Sequence, residues 1–308
     1  MEFKFPSKID GYQPEVVRTL VNVEDAASRH AALGLHHPAD IFLFAFTDAL
    51  KSIERLAINL KIETRKKCES PEYKIDLDDF RIDIFNMLFF TNNFIEACQS
   101  VIRSIFSEDE KSKFTKASRA FSAATSDIRA HTSAIVNEIK HKHRVIRPFT
   151  FSSPAGVIIG YYIEGIVAEN CTGPDPLIHQ RFEDVYTGFS LNQQLSFHLF
   201  SLYKVAACLE STVRAHRNVK PAETMESHKD IALDCLRAVS EIPLMLLPDE
   251  FNKDYATVVE KKPGHFTISN PSRKKPENPQ RAHAQISLST TVGIKARSFT
   301  MPYFIPRT

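Results

Sequence analysis

The sequence predicts a mainly α protein: a helical bundle interrupted by one β-hairpin and followed by a basic, partly β C-terminal extension. Three observations carry this expectation. Apolar residues recur at helical spacing through most of residues 1–250. Only 9 of the 308 residues are glycine, so a fold of many tight turns or a Gly-rich phosphate loop, both of which need positive φ, is disfavoured. After Pro148 the pattern changes abruptly to β-branched and aromatic residues. The composition, 43% hydrophobic and 25% charged with 23 Phe and no Trp, is that of a globular protein with a sizeable core.

A first helix is expected in "PEVVRTLVNVEDAASRHAAL". Residues 38–63 place Phe42, Phe46, Ile53, Leu56, Ala57 and Leu60 near helical spacing, and "TRKKCESPEYKID" reads as a charged loop. The most apolar helix, residues 77–106, sets Phe80, Ile84, Leu88, Ile95, Cys98, Ile102 and Ile105 along one side with further Phe around it, as expected of a helix enclosed by a bundle. Ser107 followed by Glu110 fits a capping box. The stripe Phe114, Phe121, Ile128, Ile135 and Ile139 then predicts one helix running to "NEIKHKHRVI". A hairpin is expected over about 145–170, "NCTGPDPLIH" as a loop, and helices over 189–216 and 225–247. Alternation at Ile286, Leu288, Thr290, Val292 and Ile294 predicts a strand in the extension.

The formal net charge of +2 conceals an asymmetry. Residues 251–308 hold ten Lys and Arg against three Asp and Glu, a net of +7, leaving residues 1–250 at −5. A basic, Pro-rich end trailing an acidic body can contact nucleic acid or an acidic partner. Five cysteines without a Cys-x-x-Cys pair suit buried thiols in a reducing compartment rather than a disulfide framework or a zinc site. The first residues lack an apolar leader, and no stretch has the charge-free length of a membrane span. A cytoplasmic location without membrane contact is therefore expected.

The most chemically suggestive stretch is residues 137–147. Asn137, Lys140, His141 and Arg144 follow i, i+3, i+4 and i+7 spacing and share a helix face away from the apolar stripe, whereas His143 falls close to the stripe. An accessible imidazole beside cations has the parts for phosphodiester cleavage: His141 can move a proton near neutral pH, and Lys140 and Arg144 can stabilise phosphoryl charge. With RNA the adjacent 2′-hydroxyl could serve as nucleophile, so neither metal nor cofactor is implied. The same residues also suit a helix C-terminus, where cations oppose the dipole for about 0.3–1 kcal/mol each. Arg147, Lys261, Lys262, Lys274 and Lys275 are candidate phosphate contacts. His141 and His143, two apart, diverge and do not make a metal site. Asp175, His179, Glu183 and Asp184 form a polar cluster that could fold back towards the helix end, or simply a turn. "STVRAHRNVK" repeats the basic theme in a later helix, without a His at the required spacing.

Asn137, Lys140 and His141 at the end of a bundle helix resemble the HEPN superfamily, whose motif is Arg, a polar residue, three residues and His, with an Asn-x-x-Lys-His form in some groups. Position 136, where the motif has Arg, is Val. The resemblance covers about residues 37–216 and implies a four- or five-helix bundle, often a homodimer, in bacterial toxin-antitoxin, antiphage or RNA-processing systems. Three readings stay open: a non-catalytic subunit binding RNA or protein, a metal-independent endoribonuclease using His141 as general acid/base, and a structural subunit of a larger assembly.

Overall fold

The computed structural model describes residues 5–6, 11–24, 30–153, 156–182, 185–222, 231–247, 249–250, 256–269, 279–281, 284–286, 296–297 and 304–306. The protein is mainly α, with helices α1 (Val16–Val21), α2 (Pro38–Glu69), α3 (Leu77–Ser104), α4 (Lys111–Ala124), α5 (Ser126–Lys142), α6 (Leu191–Arg217) and α7 (Ile231–Ser240). Helices α2, α3 and α6 begin where the sequence supplies a side-chain cap, Ser190 accepting from the Gln193 N–H ahead of α6. His37 Nδ1 accepts from the Ala39 N–H ahead of α2, and Asp76 Oδ1 accepts from the Asp78 N–H ahead of α3. Ser107 and Glu110 form the expected capping box, on a single 3₁₀ turn leading into α4.

Antiparallel α2 and α3 pack through Phe42, Phe46 and Phe94, and Tyr203 of α6 meets Phe46 edge-on at 5.5 Å. From α6, Arg217 lies over Phe106, just past the end of α3, and Cys208 donates to the Ala124 carbonyl at the end of α4 (3.7 Å). Helix α6 thus runs parallel to α3 and antiparallel to α4. Thr91, Thr132, Ser201 and His198, all buried, place polar atoms inside this bundle. Thr91 Oγ1, Thr132 Oγ1, Ser201 Oγ and both His198 ring nitrogens meet no hydrogen-bond partner among the described residues. Burial, with His131 adding repulsion, holds the His198 imidazole down to about 3, so it is neutral in the fold.

The hairpin forms where expected: β1 (Val145–Ser153) and β2 (Gly156–Ala168) pair antiparallel, with Ile146 opposite Ile163 and Thr150 opposite Ile159. The sheet also includes β3 (Cys171–Pro174), from the segment expected to be a loop. Two-residue β4 (Arg181–Phe182) and β5 (Val185–Tyr186) pair with each other, and β6 (Phe189–Ser190) joins β2. The extension supplies β7 (Thr257–Lys262) and β8 (His265–Ser269), a hairpin turning at Gly264, and β9 (Pro279–Arg281), β10 (Ala284–Ile286), β11 (Ala296–Arg297) and β12 (Phe304–Pro306). Strand β10 pairs with β1 and β11 with β3, giving the order β10-β1-β2-β3-β11. Of the strand expected from Ile286 to Ile294 only Ile286 is described, as the last residue of β10; residues 287–294 lie outside the described residues.

At the start of the extension Glu250 is buried. It accepts from the Ser190 N–H (3.0 Å), the Ser190 hydroxyl (2.7 Å) and the Leu247 N–H (2.8 Å). Burial, with Asp249 alongside, pushes its carboxyl up to about 7.

Several boundaries differ from expectation for identifiable reasons. Helix α2 continues through the charged segment to Glu69, because Glu63 pairs with Lys66 at 2.7 Å and with the Tyr73 hydroxyl at 2.8 Å; Pro71 follows its end. The helix expected from Ser107 to the basic motif breaks at Thr125, whose hydroxyl bonds the Phe121 carbonyl at 2.8 Å. Its apolar stripe nevertheless stays on one side across the break, with Phe121, Ile128 and Ile135 buried. In the first segment α1 has only six residues, and α7 ends at Ser240, short of residue 247; residues 225–230 lie outside the described residues. Helix α3 is not enclosed all round: Ile82 is 48% and Phe85 40% exposed.

Candidate functional site

Helix α5 ends at Lys142, with His143 in the left-handed region at φ 53° and the Arg144 N–H returning to the Glu138 carbonyl (3.2 Å). A non-glycine residue there carries strain of about 1 kcal/mol. The turn leads directly into β1. Because the helix stops one residue before it, His143 is exposed rather than lying at the edge of the core as the helical wheel suggested.

Asn137, Lys140 and His141 share the expected outward face and are exposed. No side-chain hydrogen bond or ion pair holds Asn137 or His141 among the described residues. Lys140 Nζ lies 5.1 Å from the centre of the Phe89 ring, a cation–π contact across α3 and α5. Phe89 in turn stacks on Phe85, with ring centres 4.0 Å apart and planes at 20°.

Arg144 separates from this group. Its side chain is 21% exposed, with Nε 2.8 Å from Asp175 Oδ2 and 3.7 Å from Glu138 Oε2. The polar cluster of the following segment therefore does reach the helix end, in a structural role. Asp175 is buried, and its Oδ1 accepts from the Leu177 N–H at 2.9 Å in a side-chain-closed turn. His179 Nε2 accepts from the Ile163 N–H at 2.8 Å, which places the imidazole proton on Nδ1. Gly165 makes room for this arrangement: a Cβ there would lie 2.4 Å from Asp175 Oδ2. Glu183 and Asp184 lie outside the described residues.

Arg147 is not a surface cation. It is buried, with Nε 2.8 Å and Nη2 2.7 Å from Glu164 Oε2, while Thr172 donates to Glu164 Oε1 at 3.0 Å. A phosphate contact by Arg147 would require breaking a buried ion pair, which opposes that role. Lys261 and Lys262 are exposed on β7, in a hairpin of the extension rather than beside α5; Lys274 and Lys275 lie outside the described residues. Val136, where the HEPN motif has Arg, is a core residue.

Sequence reasoning named Asp175 among residues that could approach the helix end, but it missed the aromatic partners of the motif. Phe85 and Phe89, one helical turn apart and off the buried stripe, could have been found from the surplus of Phe on α3. The Arg144–Asp175 pair depends on how the chain folds back after β3, which no local pattern encodes. Cys98 and Cys235 are buried, and burial raises both thiols well above their ordinary range, so they are poor nucleophiles. Among the described residues no three His, Cys, Asp or Glu come together in a set able to hold a metal ion, and no helix is long and apolar enough to cross a membrane.

Compared with protein families, curated proteins and solved structures, the chain matches none of them.

Proposed function

We propose that the protein is a HEPN-like RNA-binding subunit, of the kind found in bacterial defence or toxin-antitoxin systems, and that it binds at the end of α5 without cleaving. The observation that supports this reading is the division of the basic segment. Asn137, Lys140 and His141 face solvent beside the half-buried Phe89 and the exposed Phe85, while Arg144 and Arg147 are tied to Asp175 and Glu164. Exposed cations next to aromatic rings suit phosphate and base contacts. Cleavage needs a second acid/base or a fixed cation converging on the same phosphate. The arginine best placed to supply it is held by Asp175, and position 136 supplies a buried Val.

The test is incubation of the purified chain with labelled RNA in EDTA, reading binding by anisotropy and cutting by gel. Binding without cutting, weakened in Lys140→Ala and His141→Ala, is the expected result. Cutting that disappears in His141→Ala would replace this reading with the metal-independent ribonuclease. Folded protein that neither binds nor cuts RNA would leave the α5 end as a capped helix terminus.

A further inference from the structure

We infer that the α5 end takes single-stranded RNA, with an unpaired base stacking on Phe85 and a phosphate farther along the strand meeting Lys140 and His141. The inference rests on the RNA-binding reading above and adds the strandedness of the ligand and the residue that senses it.

The rings of Phe85 and Phe89 are too close, at 4.0 Å, to admit Lys140 between them, so the ammonium takes the remaining side of Phe89. The result is a column in the order Lys140, Phe89, Phe85, whose last ring is 40% exposed. Ile82, one turn before Phe85 on α3, is 48% exposed and widens the apolar shelf. The Ser133 hydroxyl donates to Asn92 Oδ1 at 2.8 Å, and Lys140 reaches Phe89. These two contacts fix α3 and α5 antiparallel, so Phe85 lies at the level of the α5 terminus, where His141 is exposed. Arg81, one turn before Phe85 on α3, is also exposed, 3.6 Å from Asp78.

An exposed aromatic shelf rimmed by Lys140, His141 and Arg81 is complementary to a ligand that is flat and apolar at one point and anionic at the next. A nucleotide has that form. In a duplex the base faces are covered by their neighbours, and only unpaired bases present a π-face to a protein ring. An apolar protein surface would also cover the shelf, but it would leave the cations at its rim unmatched.

The experiment uses the full chain and two 5′-labelled probes, a single-stranded RNA of about ten nucleotides and a blunt hairpin duplex of the same composition. Wild type, Phe85→Ala, Phe85→Leu, Phe85→Tyr and Lys140→Ala are compared after circular dichroism establishes that each is folded. Wild type should favour the single strand over the duplex. Phe85→Ala and Phe85→Leu should weaken single-strand binding about tenfold, a typical contribution of one stacked base, while Phe85→Tyr retains it. Leu keeps the apolar surface but has no π-face, so its loss separates stacking from simple burial. If Phe85→Ala and Phe85→Leu bind like wild type while Lys140→Ala fails, the stacking site is overturned and the RNA-binding reading survives. If wild type binds no RNA, both fall. If Phe85→Ala leaves RNA binding intact and converts a dimer to a monomer in sedimentation, the shelf is a protein interface and the inference is overturned.

Discussion

Two basic helix ends among the described residues use the same residue types to different effect. Helix α6 closes with Arg214, His216 and Arg217 and a left-handed Asn218 at φ 52°; α5 closes with Lys140, His141 and Lys142 and a left-handed His143 at φ 53°. Both satisfy the helix dipole. At α6 acids come from the turn before α4 and from the helix itself. Arg217, its side chain 14% exposed, donates from Nη1 to both oxygens of Glu110 at 2.9 Å, and Arg214 lies 3.6 Å from Glu210. At α5 the neighbouring helix supplies an aromatic ring to Lys140, Glu138 pairs with Lys142 at 2.8 Å, and His141 is left exposed. The difference teaches that a basic helix end becomes a candidate binding surface through what its neighbours lack, not through its own sequence.

If that contrast is right, removing tied cations should cost stability, and removing available ones should cost binding. The largest effect is expected at Arg147→Ala, which leaves buried Glu164 uncompensated; a loss of about 3–5 kcal/mol should appear in urea unfolding. Arg217→Ala should cost about 2 kcal/mol, as expected for charge-assisted bonds to one carboxylate.

Acid should expose the same asymmetry. The Lys113 ammonium, helped by the Ser107 N–H and Arg217, holds the Glu110 carboxyl down at about 2. Its stabilising contribution is present above the ordinary value of 4.5 and is lost as pH falls through that window towards 2. Glu110→Gln should flatten the acid limb of the melting temperature against pH; an unchanged limb would show that Glu110 does not anchor the α6 end.

Smaller effects sharpen the comparison at the two caps. His143→Gly should stabilise by about 0.5–1 kcal/mol, and Asn218→Gly by only a few tenths, because Asn tolerates the left-handed region better than His. Smallest of all, Lys140→Ala and His141→Ala should each change stability by less than about 0.5 kcal/mol while weakening RNA binding. A substantial destabilisation in either would show that those side chains are structural after all.

The parts of the fold written in local pattern were legible in the sequence. The Ser107–Glu110 cap, the stripe through Phe121, Ile128 and Ile135, and the presence of a hairpin over about 145–170 follow from spacing and residue type alone. The break at Thr125 was not, because a side-chain bond to the Phe121 carbonyl competes with a continuous apolar stripe, and pattern weighs only the stripe. The β7–β8 hairpin was read through its lysines, although Val258 and Val259 before Pro263-Gly264 carried a strand-and-turn signal. At the candidate site, the exposure of Asn137, Lys140 and His141 was readable from the helical wheel. The capture of Arg144 by Asp175 and of Arg147 by Glu164 was not, since both acids come from strands or turns brought near only by the sheet.

The polar atoms buried among α3, α5 and α6 offer a practical route to separating folding from recognition. Because His198 is neutral in the fold and would ordinarily titrate near 6.5, it withdraws stability as pH falls below that value towards about 3. Thr91, Thr132 and Ser201 add desolvated hydroxyls without partners among the described residues. Replacing them with Val, Val and Ala, and His198 with Leu, would turn the interior into an apolar scaffold without touching the outward residues of α5 or Phe85. Surface variants could then be compared in a hardened background, where a lost signal reports a lost contact rather than a lost fold.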